Sequence, residues 1–132
     1  MTDTETSLLV LIAGPYRSGT ADDPTLMERN LHTLEAVALP LFRAGHLPMI
    51  GEWAALPLLR VAGSTRVGDA CWDEILYPVA HRLLARCDAL LRLPGESVGA
   101  DNDVRIARER GLPVYYQLED VPGCAGQSSS RA

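Results

Sequence analysis

Short, wholly apolar runs alternate along this chain with longer segments whose apolar residues recur every three or four positions. That alternation predicts buried strands joined by amphipathic helices. Leu8–Ala13 is apolar throughout and ends at Gly14-Pro15, which reads as a strand buried on both faces. A polar loop follows, in which Asp23 is placed to cap a helix that has Pro24 at its first position. Met27, Leu31, Leu34, Val37 and Leu41 share one helical face; Pro40 predicts a kink or break, and Gly45 closes the helix. Leu47–Ile50 is a second strand, marked as an edge strand by Pro48.

Glu52–Val61 is an apolar helical stretch containing Pro57, and 63–68 is a flexible loop. Ala70–Ala85 carries Ile75, Leu76, Val79, Leu83 and Leu84 at helical spacing around Pro78. Asp88–Leu93 reads as a third strand, Asp101–Arg110 as a helix ended by Gly111, and Pro113–Gln117 as a fourth strand. Residues 1–7 are polar and read as frayed. The Pro-, Gly- and Ser-bearing stretch 119–132 reads as a flexible tail, which leaves 1–118 as one domain without internal repeats.

Strands that alternate with helices form parallel sheets with right-handed connections. The expected fold is therefore α/β and Rossmann-like, with the flavodoxin-like strand order 2-1-3-4 and helices on both faces. In that order the chain reverses direction between the first and third strands, and ligands bind outside the carboxyl ends of strands at such a switch point. Both Gly-bearing loops leave there. One is Gly14-Pro15-Tyr16-Arg17-Ser18-Gly19; the other runs from Pro94 through Ser97 and Gly99 to Asp103. Together they read as two walls of one pocket, with glycines for close backbone approach and a helix N-terminus offering free N–H groups.

Composition narrows the partners. The chain has 132 residues, 47% of them hydrophobic, enough for one domain with a real core. Its net charge of −5, without a basic stripe, argues against a nucleic-acid polymer and leaves a small ligand open. Cys71, Cys87 and Cys124 are odd in number and lack metal spacing, and the histidines are scattered, so reduced cytoplasmic thiols and no metal are expected. The first apolar run follows acidic Asp3-Thr4-Glu5, so no signal peptide is expected, and no run reaches membrane-spanning length.

Several residues carry candidate chemistry. Asp103 reads as a first-turn carboxylate of the last helix, either a dipole partner or a catalytic acid; Asp101 is the better placed cap. Ser97 and Gly99 offer a hydroxyl and an N–H to a phosphate, or form an ordinary strand-to-helix turn. Arg17, the only cation of the first loop, is either a surface charge or an anion partner. Tyr16 stacks on a base or covers the sheet edge. Asp69, Asp73 and Glu74 are candidates for a second carboxylate, Asp88 reads as structural, and His81 is a weaker acid–base candidate.

The order and spacing of these motifs resemble the nucleoside 2-deoxyribosyltransferase superfamily and its nucleotide N-glycosidase members, over about 8–116. The resemblance rests on Gly14-Pro15-Tyr16-Arg17-Ser18-Gly19, on Cys87-Asp88-Ala89-Leu90-Leu91, and on Ser97-Val98-Gly99, Asp103 and Ala107 before Gly111-Leu112-Pro113-Val114. It implies a base–sugar bond cleaved by a carboxylate nucleophile, Asp103, on a nucleoside or nucleoside 5′-monophosphate. It further implies Gly14, Tyr16, Arg17, Gly19, Ser97 and Gly99 as substrate contacts, with no cofactor and a homo-oligomer; Asp73 is kept as the second catalytic acid, although it lies one to two turns earlier than the family's position unless the helix is irregular near Pro78. Two positions depart from the pattern. Asp103 is one methylene shorter than the family's usual glutamate, and Ala80 stands where the family has an aspartate. A non-catalytic nucleotide-binding module is the alternative on the same fold.

Overall fold

The structure is a computed structural model and describes residues 7–126. Four strands form one all-parallel sheet: β1 (Leu9–Ala13), β2 (Leu47–Ile50), β3 (Ala89–Arg92) and β4 (Val114–Tyr115), in the order β2-β1-β3-β4. Val10 pairs with Pro48 on one side and with Ala89 on the other, so β1 is central and Pro48 lies on an edge strand as its missing N–H requires. The expected α/β, Rossmann-like sheet is therefore present.

Five helices surround the sheet: α1 (Pro24–Glu35), α2 (Ala38–Arg43), α3 (Gly51–Ala62), α4 (Ala70–Leu84) and α5 (Val98–Glu109). Side chains alternate across the central strand. Val10 and Ile12 pack with Leu34, Val37 and Leu41 on one face, while Leu11 and Ala13 pack with Leu84, Ala100 and Ala107 on the other. Helix α3 lies against α4.

The departures from expectation follow local chemistry. The kink or break expected at Pro40 is a break, placed earlier: α1 ends at Glu35 and α2 starts at Ala38. Pro40 then sits in the first turn of α2, where a missing N–H costs nothing. Pro57 and Pro78 remain inside α3 and α4 without ending either helix. The last helix begins at Val98 rather than Asp101, because the Ser97 hydroxyl accepts from the Ala100 N–H and caps it.

The region read as a tail from 119 is also corrected. A 3-10 turn at Leu118–Asp120 carries the chain back onto the sheet, and Leu118, Val121 and Cys124 join the core at 1% exposure or less. His46 holds this segment: its Nδ1 accepts from Leu8 N–H at 3.1 Å, so its Nε2 donates to the Pro122 carbonyl at 2.6 Å. The expectations for 1–6 and 127–132 lie outside the described residues. Leu118→Ala should cost about 2–5 kcal/mol in urea unfolding, as for a core leucine; a loose tail would show no change.

Candidate functional site

A cavity of about 420 Å³ opens at the carboxyl ends of the central strands. Its floor is the end of β1, from Leu11 to Gly14. Tyr16, Arg17, Ser18 and Asp22 supply one wall, and Ser97, Val98, Gly99, Ala100 and Asp103 of the β3–α5 junction supply a second. The start of α3 contributes Gly51 and Glu52, and α4 contributes Trp72, Asp73, Leu76, Tyr77 and Ala80. Of the residues singled out from sequence, Gly14, Tyr16, Arg17, Asp73, Ser97, Gly99 and Asp103 meet here. Gly19 does not line the cavity; its φ of +74° serves the turn that follows.

Close backbone approach holds the two loops together. A Cβ on Gly14 would lie 2.8 Å from Leu34 Cδ2 and 3.3 Å from Leu93 Cβ, so a side chain there would make the buried Leu34 shift where β1 exits against α1. Gly95 has φ +117°, and a Cβ there would lie 2.6 Å from Pro15 Cγ. Gly95→Ala should therefore cost about 1–3 kcal/mol through backbone strain and collision with the Pro15 ring, read as a lower urea midpoint. An unchanged midpoint would show that the loops are not pressed together.

The acid at the centre is Asp103. Its place is one turn further into α5 than its first-turn reading, because the helix starts at Val98. It is 9% exposed, and its Oδ1 is buried with no hydrogen-bond partner. Burial, joined by the neighbouring charge of Glu52, lifts its pKa to about 7 despite the opposing pull of Arg92. Burial likewise raises Glu52, which stands in the first turn of α3. Burial and then Glu52 push the Tyr16 phenol up as well. Sequence reading missed Glu52, and it is the second acid coupled to Asp103. Ala80 of α4 and Glu52 of α3 both line the cavity.

Arg17 is less free than its loop suggested. Its Nε donates to Asp22 at 2.7 Å and its Nη2 does so at 3.2 Å; its guanidinium also lies 5.7 Å from the Trp72 ring centre. The hydrogen bond it donates to Asp22 raises the Arg17 pKa, and Arg17 in turn holds Asp22 below the usual carboxylate range. Asp101, expected as a cap, instead pairs with Arg92 at 2.7 Å. Arg92, at the end of β3, is buried and donates also to the Leu93 carbonyl. Asp69 caps α4 through the Cys71 N–H, which leaves Asp73 as the cavity's acid on that helix. Glu74 and His81 do not line the cavity; the His81 ring faces Asn102 at 3.2 Å.

Among the described residues no cluster of His, Cys, Asp and Glu could hold a metal ion, and no helix is long and apolar enough to cross a membrane. Comparison of the chain with protein-family models, with curated proteins and with solved structures finds no match.

Proposed function

We propose that this cavity binds a nucleoside or nucleoside 5′-monophosphate and cleaves its N-glycosidic bond, by hydrolysis or by transfer to a second base. The observation that carries the reading is the acid pair of buried Asp103 and half-buried Glu52, whose charge raises the Asp103 pKa, beside aromatic walls at the switch point of the sheet. Carboxyls coupled in this way do not both ionise readily, so one can hold a proton while the other is charged. One member can then attack while the other donates.

In this reading the ionised Asp103 attacks C1′, and the C1′–N electron pair leaves with the base. Protonated Glu52 supplies the proton that a neutral base needs on departure. Water then attacks C1′ of the glycosyl ester, Glu52 takes its proton, and Asp103 is released as carboxylate. Tyr16, Trp72 and Tyr77 offer aromatic surface on which a base can stack, and Val98 and Gly99 bring the start of α5, with its free N–H groups, into the lining. The test is release of free base from a panel of deoxy- and ribonucleosides, followed by chromatography. Saturable binding with no released base would favour the non-catalytic module.

A homo-oligomer and a cytoplasmic setting belong to the same proposal. Trp53, Leu58 and Val61 of α3 are 37, 49 and 84% exposed, an apolar surface suited to a second copy. Static light scattering should give at least a dimer mass at micromolar concentration, and Val61→Asp should return it to monomer. A monomeric parent protein would remove α3 as an interface.

A further inference from the structure

The cavity's charge is one-sided. Arg17 is the one cation in its lining, against Asp22, Glu52, Asp73 and Asp103. Arg17 is already matched by the two-pronged contact with Asp22. Glu52, Asp73 and Asp103 have no ion-pair partner among the described residues. Arg92 reaches Asp103 only through space, since its guanidinium is bonded to Asp101 and the Leu93 carbonyl. The α5 N-terminus adds about half a positive charge, too little to offset these acids.

The remaining walls are aromatic. Tyr16, Trp72 and Tyr77 line the space around the acids; aromatic faces carry negative potential, and the Arg17 guanidinium already lies over that of Trp72, which leaves the two tyrosines. Asp103 Oδ1, buried in the lining without a partner, is a ready contact for positive charge. Carboxylates set among ring faces recognise a delocalised organic cation and repel a phosphate dianion.

Building on the N-glycosidic reading above, we propose that the substrate is a nucleoside whose base bears a fixed positive charge, of the pyridinium or N-alkylated heterocycle type, and which lacks a 5′-phosphate. The chemistry agrees with the charge. When the Asp103 oxygen bonds to C1′, the C1′–N pair passes to the ring and discharges it, so the base departs neutral and needs no proton. Water then opens the ester, its proton passes to Glu52 and on to solvent, and the products are free sugar, neutral base and one proton.

A bound cation also ionises the nucleophile. The charges acting on Asp103 are Glu52 from α3 and Arg92 from β3; Asp73 and Tyr77 of α4 and Tyr16 share its cavity, and Asp101 lies earlier on its own helix. A cation placed among them favours the carboxylate, so binding near pH 7 shifts the nucleophile toward its charged form and releases part of a proton.

The test is calorimetry on the full chain with nicotinamide riboside, its uncharged dihydro form, and the 5′-phosphate of the cation. The cation should bind at least tenfold tighter than the dihydro form and tighter than its phosphate. The double variant Glu52→Gln, Asp73→Asn should narrow the gap between cation and dihydro form severalfold, Asp103 keeping part of the preference, and retained binding of the dihydro form shows that the variant is folded. Equal binding of charged and uncharged forms by the parent protein, or tighter binding of the phosphate, overturns the inference. Release of free nicotinamide reads the reaction separately. Cation-selective binding without release keeps the charge inference and removes the glycosidase. Cleavage of uncharged nucleosides with no preference for the cation keeps the glycosidase and removes the charge inference.

Discussion

Asp103→Asn is expected to abolish base release and, at the same time, to make the protein more stable at pH 8. Loss of the attacking carboxylate should lower turnover by roughly 10⁴-fold or more, while affinity for an uncharged nucleoside changes little, because the charge acts on the transition state. The stability gain follows from linkage. Asp103 titrates at about 7 in the fold against 3.8 for an ordinary aspartate. Between those values the native state holds a proton that the unfolded chain has released, so stability falls as pH rises. About three units at 1.36 kcal/mol each set an upper figure of roughly 4 kcal/mol. Asparagine in the same place buries an amide with the same missing partner, which costs about 1–3 kcal/mol. The net gain at pH 8 is therefore about 2 kcal/mol, or several degrees in Tm. At pH 3 and below, where aspartate is largely neutral in both states, the linkage gain is gone and only the amide cost of about 1–3 kcal/mol remains, so the sign reverses. Thermal melts of both proteins at the two pH values check the sign. A variant that turns over normally takes Asp103 out of the mechanism, and one that melts alike at both pH values contradicts the buried charge.

Such a pairing of lost activity with gained stability is what a site built at the expense of the fold produces. A core that buries Leu11, Leu90 and Leu91 completely can sustain one unpartnered carboxyl beside them. The same residues explain what could be read from sequence. The strands were legible because each is a short apolar run, and a run buried on both faces needs no periodicity to be recognised. The pocket was legible because glycines mark where β1 and β3 end. The start of α5 was not, since Ser97 and Asp101 are both good caps. Only the pull of buried Arg92 on Asp101 decides between them, and Arg92 looks like any strand residue in the sequence. The core role of Val121 and Cys124 was hidden by the surrounding prolines and glycines, and it depends on His46, far away in the chain.

Glu52 was missed for a related reason. It heads a helix that is otherwise apolar apart from Arg60, so the segment reads as a surface for burial rather than as a source of chemistry. The available signal was positional: Glu52 comes two residues after the edge strand Leu47–Ile50, at the carboxyl end of the sheet from which the two Gly-bearing loops depart. An acid at a strand's carboxyl end faces the switch point, whatever helix it begins.

Glu52→Gln supplies the second large effect, and its signature lies in the leaving group. Glutamine cannot give a proton to a departing base, so turnover of uncharged nucleosides with poor leaving groups should fall by about 10²-fold or more. Nucleosides whose base leaves without protonation should lose far less in the bond-breaking step, measured as the burst of free base under single-turnover conditions. The pH profile should move too. Burial is the larger cause of the raised Asp103 pKa and Glu52 the next, so removing the glutamate charge lowers that pKa without restoring an ordinary value. The limb of kcat/KM that reports ionisation of Asp103 therefore shifts toward acid while the plateau for poor leaving groups drops. A structural role for Glu52 would lower all substrates together and leave the limb where it was. An unchanged dependence on the leaving group would take Glu52 out of proton transfer and leave Asp103 to act alone.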